Sequence, residues 1–328
     1  MKYQLITEVV QGMLGSITNA QMERLKKVLE HALFNRTVSM TEGDESAQTN
    51  VQLLERFIAA KRVEGCSEKS LAYYQATIET MMQKTQKGVR SIETEDLRIY
   101  LTNYQREKNV SRVTVDNVRR ILSSFFSWLE DEDYIIKSPI RRIHKVKTAA
   151  IVKETYSDES LEVMRDACDQ PRDLALIDLL ASTGMRIGEL VLLNRSDINF
   201  EERECLVFGK GSKERMVYFD ARTKIHLIDY LNQRNDDNPA LFVSLRSPYR
   251  RLTIGGIECR LRKMGRLLGI DKVHPHKFRR TLATRAIDKG MPIEQLQQLL
   301  GHRRIDTTLQ YAMVKQSNVK LAHRKYIG

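Results

Sequence analysis

Apolar residues recur at helical spacing through most of the chain, and between two short β-type runs the pattern gives way to a glycine-bounded basic turn. From Val51 to Leu129 the apolar positions are Leu53, Leu54, Phe57 and Ile58, then Leu71, Tyr74, Ile78 and Met82, then Val115, Val118, Leu122, Phe125, Phe126 and Leu129. They return to one face every three or four residues, as amphipathic helices require. Ser67, Ser111 and the polar stretch from Ser91 offer helix starts. Trp128, among so many apolar neighbours, is expected in the core. In the second half, residues 204–208 (Glu-Cys-Leu-Val-Phe) and 215–219 (Arg-Met-Val-Tyr-Phe) flank Gly209-Lys-Gly-Ser-Lys213, the pattern of a β-hairpin. Segments 225–231, 257–268, 278–289, 293–300 and 307–314 read as helices, the last with Asp306 as its cap. The expected fold class is mainly α with a small β-sheet: a helical N-terminal domain followed by an α+β domain.

Boundaries follow from composition. Residues 1–40 are helical in pattern, and the polar run 41–50 looks like a linker, so residues 1–48 form an appendage without recognisable chemistry. The helical domain spans 49–137. Residues 138–153 are basic and marked by Pro139, which opposes helix continuation. They are expected to link the domains, either as an ordinary solvated connection or as a segment crossing a nucleic acid. The second domain is 154–328.

Charge indicates the partner. Over 328 residues, Lys+Arg 54 against Asp+Glu 42 leaves a net charge of +12, which favours a polyanion, with nucleic acid foremost. The excess is spread: residues 49–153 carry 19 basic and 13 acidic groups, and residues 154–328 carry 30 and 23. A single basic tail would have concentrated it at one end. Cys66, Cys168, Cys205 and Cys259 lie far apart and form no CxxC pair, so neither a zinc site nor a disulfide framework is indicated. No apolar run is long enough for a membrane span. A cytoplasmic protein that binds no membrane is expected.

Separated polar motifs carry the chemistry. Thr-Gly-Met-Arg-Ile-Gly-Glu-Leu surrounds Arg186, Gly-Lys-Gly contains Lys210, His-Lys-Phe-Arg spans His276 to Arg279, and Leu-Gly-His ends at His302, followed by Tyr311. On these motifs, residues 154–328 resemble the catalytic domain of the tyrosine recombinase (phage integrase) family. Residues 50–145 resemble its helical core-binding, SAM-like domain, mostly through their pattern. The resemblance implies a catalytic set of Arg186, Lys210, His276, Arg279, His302 and Tyr311, with Tyr311 the nucleophile, and it implies neither a cofactor nor a metal. The residue after the second arginine, often histidine in the family, is Arg280 here, a departure outside the catalytic set.

The residues also make physical sense in these roles. Planar guanidinium forks from Arg186 and Arg279 suit the non-bridging oxygens of a phosphodiester under attack. Lys210 at a glycine-bounded tip is placed to protonate a leaving 5′ oxygen, a step worth roughly 10²–10⁴ in rate, with Lys213 as the rival. An imidazole, whose ordinary pKa lies near neutrality, suits the tyrosine proton, and His276 is the candidate; His274 is the decoy, and the three-residue spacing to Arg279 favours His276. His302, after the glycine that ends a helix, is expected to hydrogen-bond the phosphate. Glu189, three residues after Arg186, is expected to orient a guanidinium or ring.

By that resemblance the chain is a site-specific DNA recombinase that cleaves and rejoins double-stranded DNA through a 3′-phosphotyrosyl intermediate, in a tetramer on paired sites. Val319, Leu321, Ala322, Tyr326 and Ile327 are apolar positions on a short basic tail that cannot form a core alone. Docking of that tail on a neighbouring protomer is expected. An accessory excision factor is a further candidate partner. The competing readings are a relaxing type IB topoisomerase, which would act on DNA lacking paired sites, and a non-catalytic DNA-binding regulator, which would not need all six polar positions.

Overall fold

The computed structural model describes residues 2–34, 44–147, 154–209 and 214–311. The chain divides into two compact units, residues 1–150 and 151–328.

The first unit is helical: α1 (Lys2–Gly12), α2 (Asn19–Ala32), α3 (Asp44–Val63), α4 (Glu68–Thr85), α5 (Thr94–Lys108) and α6 (Arg112–Asp131). Local chemistry sets most starts. Ser67 and Ser111 accept from the amides of Ser70 and Thr114, as the sequence suggests. α5 starts within the expected polar stretch, at Thr94, where Glu93 and Asp96 make the capping box after the 3₁₀ turn Val89–Ser91. The expected linker 41–50 is not all linker: α3 begins at Asp44, a stretch in which Glu45, Ala47 and Gln48 are good helix formers.

The apolar faces of α3 to α6 meet in one core around Phe57, Leu122, Phe125 and Phe126, each fully buried. Trp128 joins it, 5.6 Å from Phe57 and 5.5 Å from Tyr134 between ring centroids. Much of the expected linker also belongs here. Pro139–Arg142 forms a 3₁₀ turn, Ile140 is buried, Ile143 and Val146 pack on the same core, and the Val146 amide donates to Asp116 Oδ1 at 3.0 Å. Three apolar residues in a basic stretch are enough to dock it.

The second unit contains α7 (Asp158–Asp166), α8 (Pro171–Thr183), α9 (Ile187–Leu190), β1 (Ile198–Asn199), β2 (Glu204–Phe208), β3 (Glu214–Tyr218), α10 (Ala221–Asn232), α11 (Ile254–Leu268), α12 (Pro275–Asp288), α13 (Ile293–Leu300) and α14 (Ile305–Leu309). The hairpin forms as expected, with Cys205 opposite Val217 and Phe208 opposite Glu214. β1 adds an antiparallel edge to β2; two residues are too few for a periodic signal. α8 is the central element. Ala175, Leu176, Ile177, Leu179 and Leu180 are all buried, and it packs on α7, α10, α12 and β3. α14 ends at Leu309, short of the expected 307–314, and residues 312 onward lie outside the described residues. Its cap position is Arg304 rather than Asp306, which sits inside the first turn and pairs with Arg304 at 2.9 Å. Among the described residues, no helix is long and apolar enough to cross a membrane.

Candidate active site

The site is built where α8, α12 and α13 end or begin. α8 stops at Gly184, in left-handed conformation (φ 59°), and a Cβ there would stand 2.5 Å from Leu282 Cδ2. Only glycine turns the chain so tightly against α12. Thr183 steadies the turn, donating to the Leu179 carbonyl at 2.5 Å and accepting from the Met185 amide at 3.2 Å. Arg186 follows at the start of α9.

Glu189 organises the arginines. It is buried, and its Oε1 accepts from Arg186 Nη1 at 2.8 Å and from Arg215 Nη1 at 2.7 Å. Its Oε2 accepts from the Arg186 amide at 2.8 Å and from Arg215 Nη2 at 2.7 Å. Burial alone would raise the carboxyl pKa, but the bonds from Arg215 and Arg186 outweigh it and hold the group below the usual carboxylate range. The sequence reading anticipated the Arg186 contact and missed Arg215. Its only local signal was a basic residue at the foot of the hairpin, which looks like any hairpin cation.

Arg279 is the largest fully buried side chain among the described residues, 1% exposed. Its Nη1 donates to the Gly184 carbonyl at 2.8 Å, and its Nη2 donates to the Leu300 carbonyl at 2.6 Å and meets His302 Nε2 at 2.9 Å. Burial first, then the nearby charge of Arg186, pulls its pKa down to about 10, which leaves it charged at neutral pH. Three of its five N–H groups face the protein, so the guanidinium is only partly free for an external anion.

His302 follows Gly301, the left-handed residue (φ 63°) that caps α13. Because an arginine can only donate, Nε2 of His302 accepts, and in a neutral ring Nδ1 is then the donor to Thr308 Oγ1 at 2.8 Å. Burial, followed by the charges of Arg279, Arg186 and Arg215, lowers its pKa to about 4, so the ring is neutral near pH 7. Both ring nitrogens have partners within the protein, Nε2 with Arg279 and Nδ1 with Thr308. The Tyr311 ring lies parallel to this imidazole, with centroids 5.9 Å apart and planes at 23°, and packs on Leu296, Leu300 and Ala283.

His276 lies in the first turn of α12 on the exposed side, close enough for its charge to contribute to the lowered pKa of His302. His274 is the cap residue of α12, its pKa lowered by burial and by Arg280 and Lys277. Its amide donates to Tyr156 Oη at 3.2 Å, which makes that position part of the unit's frame. Arg280 donates to the Glu154 carbonyl at 2.7 Å, a structural contact at the start of the unit. Lys210 and Lys213 lie outside the described residues, although the strands that flank them are well formed. Arg186, Glu189, Arg279, His302 and Tyr311 thus come together from four separated segments.

Comparison with known proteins resolves what this arrangement belongs to. Residues 153–318 match the phage integrase family, and residues 53–136 match its N-terminal SAM-like domain. The chain belongs to the phage integrase family.

It is 32% identical over 251 residues to tyrosine recombinase XerC of Oceanobacillus iheyensis, covering 72% of this chain and 81% of that protein. With tyrosine recombinase XerC of Pediococcus pentosaceus, the identity is 27% over 84% of this chain and 97% of the relative. The fold is shared with the XerH site-specific recombinase bound to a palindromic difH substrate (TM-score 0.67, 21% identity, 97% of this chain and 94% of that chain). It is shared also with a lambda integrase dimer bound to a core site (TM-score 0.65, 18% identity, 88% and 86%). This phage integrase family member is a tyrosine-type site-specific DNA recombinase.

Proposed function

We propose that the second unit cleaves and rejoins duplex DNA with Tyr311 as nucleophile. The observation that carries the reading is the convergence of Arg186, Arg279 and His302 beside the Tyr311 ring at the end of α13. The hydroxyl oxygen of Tyr311 forms a bond to the scissile phosphorus as the bond from phosphorus to the 5′ oxygen breaks. His276 takes the tyrosine proton, and Lys210 gives a proton to the departing 5′ oxygen. Arg186 and the free edge of Arg279 meet the non-bridging oxygens, where preorganised donors in a water-poor site are worth most. His302 contributes by holding Arg279. The 3′-phosphotyrosyl ester keeps the energy of the broken bond, so a 5′ hydroxyl from a second duplex reverses the step without a nucleotide cofactor.

Strand exchange of this kind needs four protomers on two paired sites. We assign their association to the basic, apolar-dotted tail beyond Tyr311, which docks on a neighbouring protomer. An accessory factor that biases excision fits the same scheme.

The decisive experiment is Tyr311→Phe on a nicked suicide substrate. Site binding persists and the SDS-resistant protein–DNA adduct disappears; an adduct of unchanged yield overturns the assignment. For the tail, truncation after Gln316 preserves binding of one protomer to a half-site and weakens cooperative filling of the paired sites. Unchanged cooperativity in a gel-shift titration refutes docking in trans.

A further inference from the structure

The carbonyls of three successive residues at the end of α13 each accept from a different arginine. Leu299 takes Arg215 Nε at 3.1 Å, Leu300 takes Arg279 Nη2 at 2.6 Å and Gly301 takes Arg186 Nη2 at 3.3 Å. A helix C-terminus leaves its last carbonyls without intrahelical donors and carries partial negative charge, which makes it an anchor for cations. Two of these arginines are placed at the phosphate by the reading above. The third has been given no role.

Arg215 is nevertheless the more firmly held member of the Glu189 network. It grips both Glu189 oxygens, its side chain is 11% exposed against 40% for Arg186, and a Cβ on Gly301 would stand 2.8 Å from its Cδ. The aim of the more exposed Arg186 fork is therefore set by a carboxylate whose own position Arg215 sets. Arg215 also lies on β3 opposite Val207, five residues after Lys210, so one side chain ties the foot of the hairpin to the end of α13. Stability alone is a weak reason for this arrangement, since apolar residues often replace a buried ion pair without loss.

We propose that Arg215 is a positioning residue for strand cleavage, acting through Glu189 to aim Arg186 at the scissile phosphate. The proposal rests on the assignment of Arg186 and Tyr311 above.

The test uses the full chain and two nicked suicide substrates, one with an ordinary scissile phosphate and one with a methylphosphonate there. The methylphosphonate lacks one anionic oxygen and so makes less demand on Arg186. Arg215→Lys keeps the charge and loses the fork. It should bind the site about as well as the unaltered protein and form the adduct on the ordinary phosphate about 10²-fold more slowly. On the methylphosphonate the deficit should shrink to a few-fold, as for Arg186→Ala, and the double variant should be no slower than Arg186→Ala alone. Equal deficits on both substrates, additive losses in the double variant or no deficit at all would each overturn the proposal. If Arg215→Lys does not fold, Glu189→Gln carries the same comparison, because it weakens the same relay from its other end. Tyr311→Phe runs alongside: an adduct there sinks the nucleophile assignment whatever Arg215 does, whereas failure of the Arg215 pattern alone leaves Tyr311 standing.

Discussion

In the helical unit, the ion pairs Arg62–Glu68, Lys84–Glu107 and Arg98–Glu95 leave 47% to 74% of each side chain exposed. In the second unit, Arg172–Asp173, Arg215–Glu189 and Arg234–Asp236 leave 3% to 11%. The difference is one of purpose. The helical unit is held by an apolar core, and most of its charge stays in water, where it costs little and can meet a polyanion. The second unit has exposed pairs too, such as Arg222–Glu162 and Arg304–Asp306, but it draws these three inside, where a lost partner is expensive. The Arg119–Asp116 pair of the helical unit is drawn in as well, and Asp116 also fastens the docked segment through the Val146 amide.

Substitutions can break or sharpen that contrast. The largest effect on stability is expected from the core of the helical unit. Phe125→Ala should cost about 4 kcal/mol, because a fully buried ring leaves a cavity its neighbours only partly fill. Chemical denaturation followed by circular dichroism would measure it, and a loss below about 1 kcal/mol would show that the core does not hold this unit.

Glu189→Ala comes next, at about 3 kcal/mol, because it strands Arg215 and half of the Arg186 network in a buried site. The same substitution should cut adduct formation on the nicked substrate. A variant that melts early yet cleaves normally would divorce the buried charges from catalysis.

A pH effect of smaller size follows from His302. Its folded-state pKa of about 4 lies below the ordinary 6.5, so between these values the unfolded chain binds the extra proton. Stability is fully present above about pH 6.5 and is lost as pH falls toward 4, by on the order of 2 kcal/mol once the partial exposure of the ring is allowed for. His302→Asn should flatten that part of a melting-temperature profile. An unchanged slope would assign the acid sensitivity to other groups.

The smallest effect is expected at the surface. Lys84→Ala removes an exposed pair with Glu107 and should leave the denaturation midpoint where it was. A clear shift would contradict the division of labour between the two units.

Much was legible in the chain itself. The helical faces of α3, α4 and α6, the hairpin, the caps at Ser67 and Ser111 and the identity of α13 are written in residues near one another, because hydrogen-bond periodicity and capping act over three or four positions. The motifs around Arg186, Arg279, His302 and Tyr311 were visible too, since the family resemblance is carried by short strings of residues. Other features left no local trace. β1 is too short to show a period, the docking of Ile140, Ile143 and Val146 depends on a core formed earlier in the chain, and α14 stops sooner than its pattern suggests.

The amino-acid sequence by itself determined the elements, their polarity and the chemistry available at each position. Tertiary structure alone decided which charges would be neighbours: that Arg279 turns inward to Gly184, Leu300 and His302, and that Arg215 and Arg186 share one carboxylate. The physical reason is range. A helix is specified by contacts along the chain, but a buried guanidinium is stable only where carbonyls and a carboxylate from distant segments are brought to it, and packing alone brings them together.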